Sequence, residues 1–138
     1  MEKSKKYKGL SLLRHYPFTM ALTLFIWIVC LIPIPETPLS GVSFIDKWTH
    51  FALFGLLTLL VWLATLGRRL RATRKQMALW GVLMPWLMGG LVEIVQATCT
   101  HGVRNGDVFD FLADGVGVAI GSAIGILLAR YFSTRNRD

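Results

Sequence analysis

Charge is scarce in this chain, and acid scarcer than base: of 138 residues 17% are charged, with 8 Asp and Glu against 15 Lys and Arg, a formal net charge of +7. Cysteine is scarcer still, and two thiols are too few for a disulfide scaffold or a zinc cluster. The basic residues do not gather into a stripe that would follow a phosphate backbone; they sit between apolar stretches, which excludes nucleic acid as the partner. Apolar side chains are what the sequence has in excess, at 54% of residues and a mean hydropathy of +0.52. They lie in runs too long to hide in the core of a soluble domain of this length.

Four such runs follow one another. Phe18 to Ile32 carries no charge and is closed by Pro33 and Pro35, which cannot continue a helix. Trp48 to Gly67 has His50 as its one titratable group and lies between Asp46-Lys47 and Arg68-Arg69. A third run from Gln76 to Thr98 is interrupted by Pro85 and Glu93, and a fourth from Val108 to Tyr131 carries Asp110 and Asp114 in its first turns. The expected architecture is all-α: an integral membrane four-helix bundle, one domain over residues 1–138, with spans at about 17–34, 47–67, 76–98 and 108–131.

Lys and Arg in short connections resist translocation and set orientation. Lys3, Lys5, Lys6, Lys8 and Arg14 precede the first run, Arg68, Arg69, Arg71, Arg74 and Lys75 join the second to the third, and Arg130, Arg135 and Arg137 close the chain. Against them stand only Lys47 and Arg104, so both termini are expected in the cytoplasm. The first run has no small-x-small cleavage site and reads as a retained helix, not a signal peptide. The Lys-rich start, with Leu10, Leu12, Leu13 and Tyr16 interleaved, reads either as purely topogenic or as a segment lying along anionic lipid.

Counted back from these basic ends at ~1.5 Å per residue, His50 stands about 27 Å from Arg68, Glu93 about 27 Å from Lys75, and Asp114 about 24 Å from Arg130. All three fall at one level, just inside the outer boundary of a ~30 Å hydrocarbon core. Asp46 and His50 are spaced i,i+4, Glu93 and Gln96 i,i+3, and Asp107, Asp110 and Asp114 step by three and then four, so each set occupies one helix face. A carboxylate facing lipid costs on the order of 2–3 kcal/mol, which predicts that the polar faces meet one another or trapped water in a pocket open outward. Asp46, Glu93, Asp107, Asp110 and Asp114 outnumber Lys47 and Arg104, even with His50 and His101 protonated to help; either some acids carry protons or a cation sits among them. Arg104 can bridge two carboxylates with its planar fork, which a lysine would do less well.

Plainer roles compete for the same residues. Asp46 and Asp107 suit helix starts and Lys47 suits snorkelling, while Glu93 suits a buried tie to Arg104 or His50. Four carboxylates plus His50 would suit a divalent cation, but no His-Glu-x-x-His or comparable spacing is present, so no metal and no cofactor is expected. Cys30 and Cys99 fall toward the outer side without a nucleophile motif around either, and are candidates for a disulfide. Gly117, Gly121 and Gly125, flanked by Ala113 and Ala129, offer a small residue every fourth position, for close packing inside the bundle or in a homodimer. Gly81, Pro85 and Gly89 mark a kink or a close crossing that could shape the pocket below Glu93, and Trp48, Trp62, Trp80 and Trp86 read as belt or lipid-facing residues.

Taken in order, Asp46-Lys47-x-x-His50-Phe51-x-x-Phe54-x-x-Leu57, Glu93-x-x-Gln96 and Arg104-x-x-Asp107-x-x-Asp110-x-x-x-Asp114-x-x-Gly117 resemble the VanZ-like family of small bacterial membrane proteins, over roughly residues 44 to 128. One departure is that the family pattern usually has Asn where this chain has Asp114. The resemblance implies a multipass protein of the bacterial cytoplasmic membrane, in a family named for a member linked to low-level teicoplanin resistance; it brings no settled reaction, and resistance itself does not transfer with the fold. Three functions are carried forward. The first is a pocket built from Asp46, Lys47, His50, Glu93, Gln96, Arg104, Asp107, Asp110 and Asp114 that binds an envelope lipid, a lipid-linked precursor or an amphiphilic glycopeptide, affecting envelope properties or susceptibility. The second is an acid/base enzyme acting on a lipid-linked substrate through His50, Glu93 and Asp110. The third is a small proton-coupled transporter, against which the depth of the acids counts, since alternating access favours a site at the midplane.

Overall fold

The computed structural model describes residues 16–33, 35, 38–67 and 73–135. Lys3, Lys5, Lys6, Lys8, Leu10, Leu12, Leu13, Arg14, Arg68, Arg69, Arg71 and Arg137, on which much of the expected orientation rests, lie outside these residues. Among the described residues the chain is all-helical: α1 (Pro17–Leu31), a 3-10 turn (Pro38–Gly41), α2 (Ile45–Gly67), α3 (Arg74–Cys99) and α4 (Val108–Arg135).

Each helix boundary has a local cause. Pro17 sits at the first helical position of α1, where its missing N–H is no loss. The helix stops at Leu31 because Ile32 precedes Pro33 and is forced into an extended conformation, with φ −80° and ψ 154°. At 15 residues α1 rises about 22 Å, short of a ~30 Å hydrocarbon core. The run expected to span at 17–34 is therefore an apolar helix shorter than the other three, and Ile32 continues it as extended chain. α3 opens on a capping box in which the Thr73 hydroxyl accepts the Gln76 N–H while the Gln76 side chain accepts the Thr73 N–H. Pro85 cannot donate to the Gly81 carbonyl and its ring would crowd it; one turn earlier the helix widens into a π segment (Leu79–Leu83), with the Met84 N–H bonding the Leu79 carbonyl. The irregularity expected around Gly81 and Pro85 is this π segment.

Among the described residues three helical stretches are long and apolar enough to cross a membrane: Ile45–Leu66, Arg74–Cys99 and Val108–Phe132. Their packing inverts the pattern of a soluble protein. Phe25, Trp80, Leu87, Leu91, Ile94, Val116 and Leu127 are exposed, while His50, Thr58, Glu93, Gln96, Asp110, Asp114 and Ser122 are buried. An apolar exterior around a polar interior is the arrangement that lipid, not water, stabilises.

The main contact runs between α2 and α4. A Cβ on Gly117 would collide with the Phe51 carbonyl, one on Gly121 with the Gly55 carbonyl, and one on Gly125 with the Trp62 ring. The small-residue stripe of α4 is thus filled by α2 of the same chain. α3 lies against α4 with Gly89 facing Asp114 and with the Trp86 indole over Gly115. That indole stacks on Phe111 and donates to its carbonyl at 3.2 Å. α1 contributes Ile26 and Cys30 to an apolar cluster with Phe54, Leu57, Val92 and Val118.

Candidate functional site

The starts of α2 and α4 and the end of α3 come together at one end of the molecule, and the polar residues of all three converge there. A tight connection makes this possible. The Thr100 hydroxyl accepts the Arg104 N–H at 3.0 Å and caps the turn that closes α3. Gly106 then passes so close to the Glu93 carbonyl that a Cβ would collide with it. This approach lets the Asp107 N–H reach Glu93 Oε2 at 2.7 Å. Asp107 also caps α4, its Oδ1 accepting the Phe109 N–H at 2.8 Å.

Two layers result. In the inner one, His50 Nδ1 stands 3.0 Å from Asp114 Oδ1 and 3.6 Å from Glu93 Oε1. The side chains of His50, Asp114 and Glu93 are 2%, 0% and 9% exposed, so this layer is sealed by protein. Phe54, one turn along α2, stacks parallel to the imidazole, and the Cys30 thiol of α1 lies against it. Glu93 Oε1 and Asp114 Oδ2 have no hydrogen-bond partner.

The outer layer is a set of ion pairs. Lys47 Nζ bonds Asp107 Oδ2 at 2.7 Å and Asp110 Oδ1 at 3.1 Å, and Arg104 Nη2 bonds Asp46 Oδ1 at 3.2 Å. Asp46, Lys47 and Asp107 are partly exposed, whereas Asp110 is buried. The Lys47 ammonium, and after it the Phe109 N–H, hold the Asp107 carboxyl below the usual carboxylate range.

Most of the sequence-predicted residues meet here: Asp46, Lys47, His50, Glu93, Arg104, Asp107, Asp110 and Asp114 form one contiguous centre. Several details differ from expectation. Among the described residues the one that bridges two carboxylates is Lys47, because it projects between Asp107 and Asp110, while Arg104 pairs with Asp46. Glu93 ties to His50 and to the Asp107 backbone, not to Arg104. Gln96 stands apart: it is buried and donates through Nε2 to the Cys30 carbonyl at 2.7 Å, fastening α3 to α1. His101 stays exposed on the connecting loop. Cys30 is buried and Cys99 exposed, and both are free thiols. The inner layer is packed by its own side chains, while the outer layer stays partly exposed. A cleft of about 730 Å³ lies at the opposite end, lined by Trp62, Thr65, Arg74, Met77, Ile126 and Arg130 among others. Gly106 escaped the sequence reading of the site; it sits where the Glu93 carbonyl approaches closely, while Gly89, expected to shape the site, meets the Asp114 carboxylate.

The class these features define is an all-helical membrane protein with a buried charged centre shared by three helices. No protein-family model, curated protein or solved structure matches the chain.

Proposed function

We propose that this chain is a multipass protein of the bacterial cytoplasmic membrane, of VanZ-like type, folded as a four-helix bundle with both termini in the cytoplasm. Its charged centre takes the polar head of an amphiphile from the outer leaflet: an envelope lipid, a lipid-linked precursor or an amphiphilic glycopeptide. One observation carries the reading. The partly exposed ion pairs of Lys47 with Asp107 and of Arg104 with Asp46 border a wall of exposed apolar side chains, Phe44, Trp48, Val108 and Phe109, each at least 61% exposed. Charges of both signs beside an apolar wall complement a molecule with a charged head and a greasy tail. Purified protein in lipid nanodiscs is expected to bind a lipid-linked precursor or teicoplanin, with Arg104→Gln and Lys47→Met each weakening binding by about tenfold or more. Affinity unchanged in both variants would remove the reading.

The His50–Asp114 pair favours a second reading, a membrane-embedded enzyme. An imidazole oriented by a carboxylate at 3.0 Å, with Glu93 beside it, is the arrangement of a positioned general base, which a substrate would reach once the sealed inner layer opens. Here His50, Glu93 and Asp110 would act on a lipid-linked substrate. Incubation of the purified protein with membrane lipids, followed by mass spectrometry, is expected to reveal a product that His50→Gln does not form; an unchanged lipid profile would exclude it.

A further inference from the structure

We propose that His50, Glu93 and Asp114 bind one divalent transition-metal ion. The inference is independent of what the outer layer binds.

The geometry carries it first. One ligand atom from each of the three side chains lies within 4.8 Å of the others. The His50 Nδ1 separations, 3.0 Å to Asp114 and 3.6 Å to Glu93, bracket the edge of a tetrahedron. With metal–ligand bonds of about 2.0–2.1 Å that edge is roughly 3.3 Å. The three groups come from three different helices, α2, α3 and α4, so their spacing is a product of packing that no local motif imposes.

Unsatisfied oxygens are the second, independent observation. A neutral imidazole has at most one proton on Nδ1, which can serve one carboxylate well and not two. Asp114 takes that position, leaving Glu93 Oε1 at 3.6 Å without a partner; Asp114 Oδ2 is likewise unpaired, and both side chains are more than nine-tenths buried. Buried carboxylate oxygens without donors are costly and rare. A divalent ion seated between His50 Nδ1, Asp114 Oδ1 and Glu93 Oε1 gives the orphaned Glu93 oxygen its partner, and two carboxylates and a neutral imidazole around a 2+ charge sum to zero, the balance a low-dielectric interior favours.

The surroundings are those of a metal centre. Glu93 Oε2 is oriented by the Asp107 N–H at 2.7 Å, and Gly89 leaves the space in which the Asp114 carboxylate sits. Such outer contacts hold ligands in register. A second triad, Asp46, His50 and Asp110, is equally compact. Its carboxylates already have Arg104 and Lys47 as counter-ions, so the first triad is the site. One nitrogen with two carboxylate oxygens selects zinc, cobalt or manganese over calcium and magnesium, which prefer all-oxygen shells. Three protein ligands leave a coordination position open.

The test uses the full-length protein in detergent, stripped with a chelator and titrated with Zn²⁺ or Co²⁺ alone. The expected result is one ion per chain, a raised unfolding temperature, and a Co²⁺ absorption spectrum with the intensified bands of a low-coordinate nitrogen–oxygen site. His50→Gln, Glu93→Gln and Asp114→Asn should each lower affinity by about 100-fold or more, whereas Cys99→Ser, at an exposed thiol outside the triad, should leave it within a few fold. The wild-type spectrum decides the question even where a variant fails to fold. A wild-type protein that takes up no ion, or shows only the weak absorption of hexa-aquo Co²⁺, overturns the assignment, as does stoichiometric binding that survives in folded His50→Gln.

Discussion

Lys47 has the most consequential position of any single side chain outside the inner triad. Its ammonium joins the half-exposed Asp107 to the buried Asp110, and so pins the first turn of α4 to the first turn of α2. Removing it strands the Asp110 carboxylate without a counter-ion. Lys47→Ala is therefore expected to destabilise the protein by roughly 3 kcal/mol, measured by unfolding in mixed micelles, and Asp110→Asn in that background should restore much of the loss. Asp107 gives a pH-dependent counterpart. Its folded-state pKa is depressed, chiefly by the Lys47 ammonium, so its stabilising effect is complete above the unfolded value of about 4 and is lost as pH falls through the folded one. Asp107→Asn should melt at a lower temperature than wild type at neutral pH, with the gap closing below about pH 4; a gap constant with pH would contradict this. The residue types at both positions were legible in the sequence. Which acid each cation would choose was not, because a lysine stem reaches several neighbours and only packing decides which stands at bonding distance.

At the scale of the helices, the α2–α4 contact depends on missing side chains. Gly117 and Gly121 bring the α4 backbone against the carbonyls of Phe51 and Gly55, which are backbone atoms and cannot swing away. Gly117→Ala or Gly121→Ala is expected to cost about 1–3 kcal/mol and to widen the helix pair, while Gly41→Ala, with open space around its site, should be neutral. Unfolding measurements on the three variants check the contrast. Helix existence followed from hydropathy, and the end of α1 from Pro33; Pro17 at the start of α1 and the Thr73–Gln76 capping box at the start of α3 emerged only with the structure. The shortness of α1 is a different matter: apolar composition suits a helix that crosses and one that only covers its neighbours, and the cut at Ile32 removes the last turn.

For the whole molecule, the separation of polar centre from apolar exterior is the organising feature, with the two thiols as built-in reporters of it. Cys99 is exposed at the end of α3, near the charged centre, while Cys30 is buried beneath it. In intact cells or sealed vesicles, a membrane-impermeant maleimide added from the outside is expected to label Cys99 and to leave Cys30 unmodified until the protein is denatured. Labelling of Cys99 only from the cytoplasmic side would invert the proposed orientation. The same molecular view locates the cleft rimmed by Arg74 and Arg130 at the far end of the helices, well away from the charged centre.

Sequence alone determined that this chain is helical and apolar enough for a membrane, and that His50, Glu93 and Asp114 stand at one level, because rise per residue and hydropathy are local properties that counting recovers. Tertiary structure decided the rest: that these three side chains touch, that Lys47 and not Arg104 is the bridge, that Gln96 fastens α1, and that the glycine stripe faces α2. Such choices depend on how helices rotate about their own axes and how closely backbones approach, and those follow from the simultaneous fit of side chains far apart in the chain.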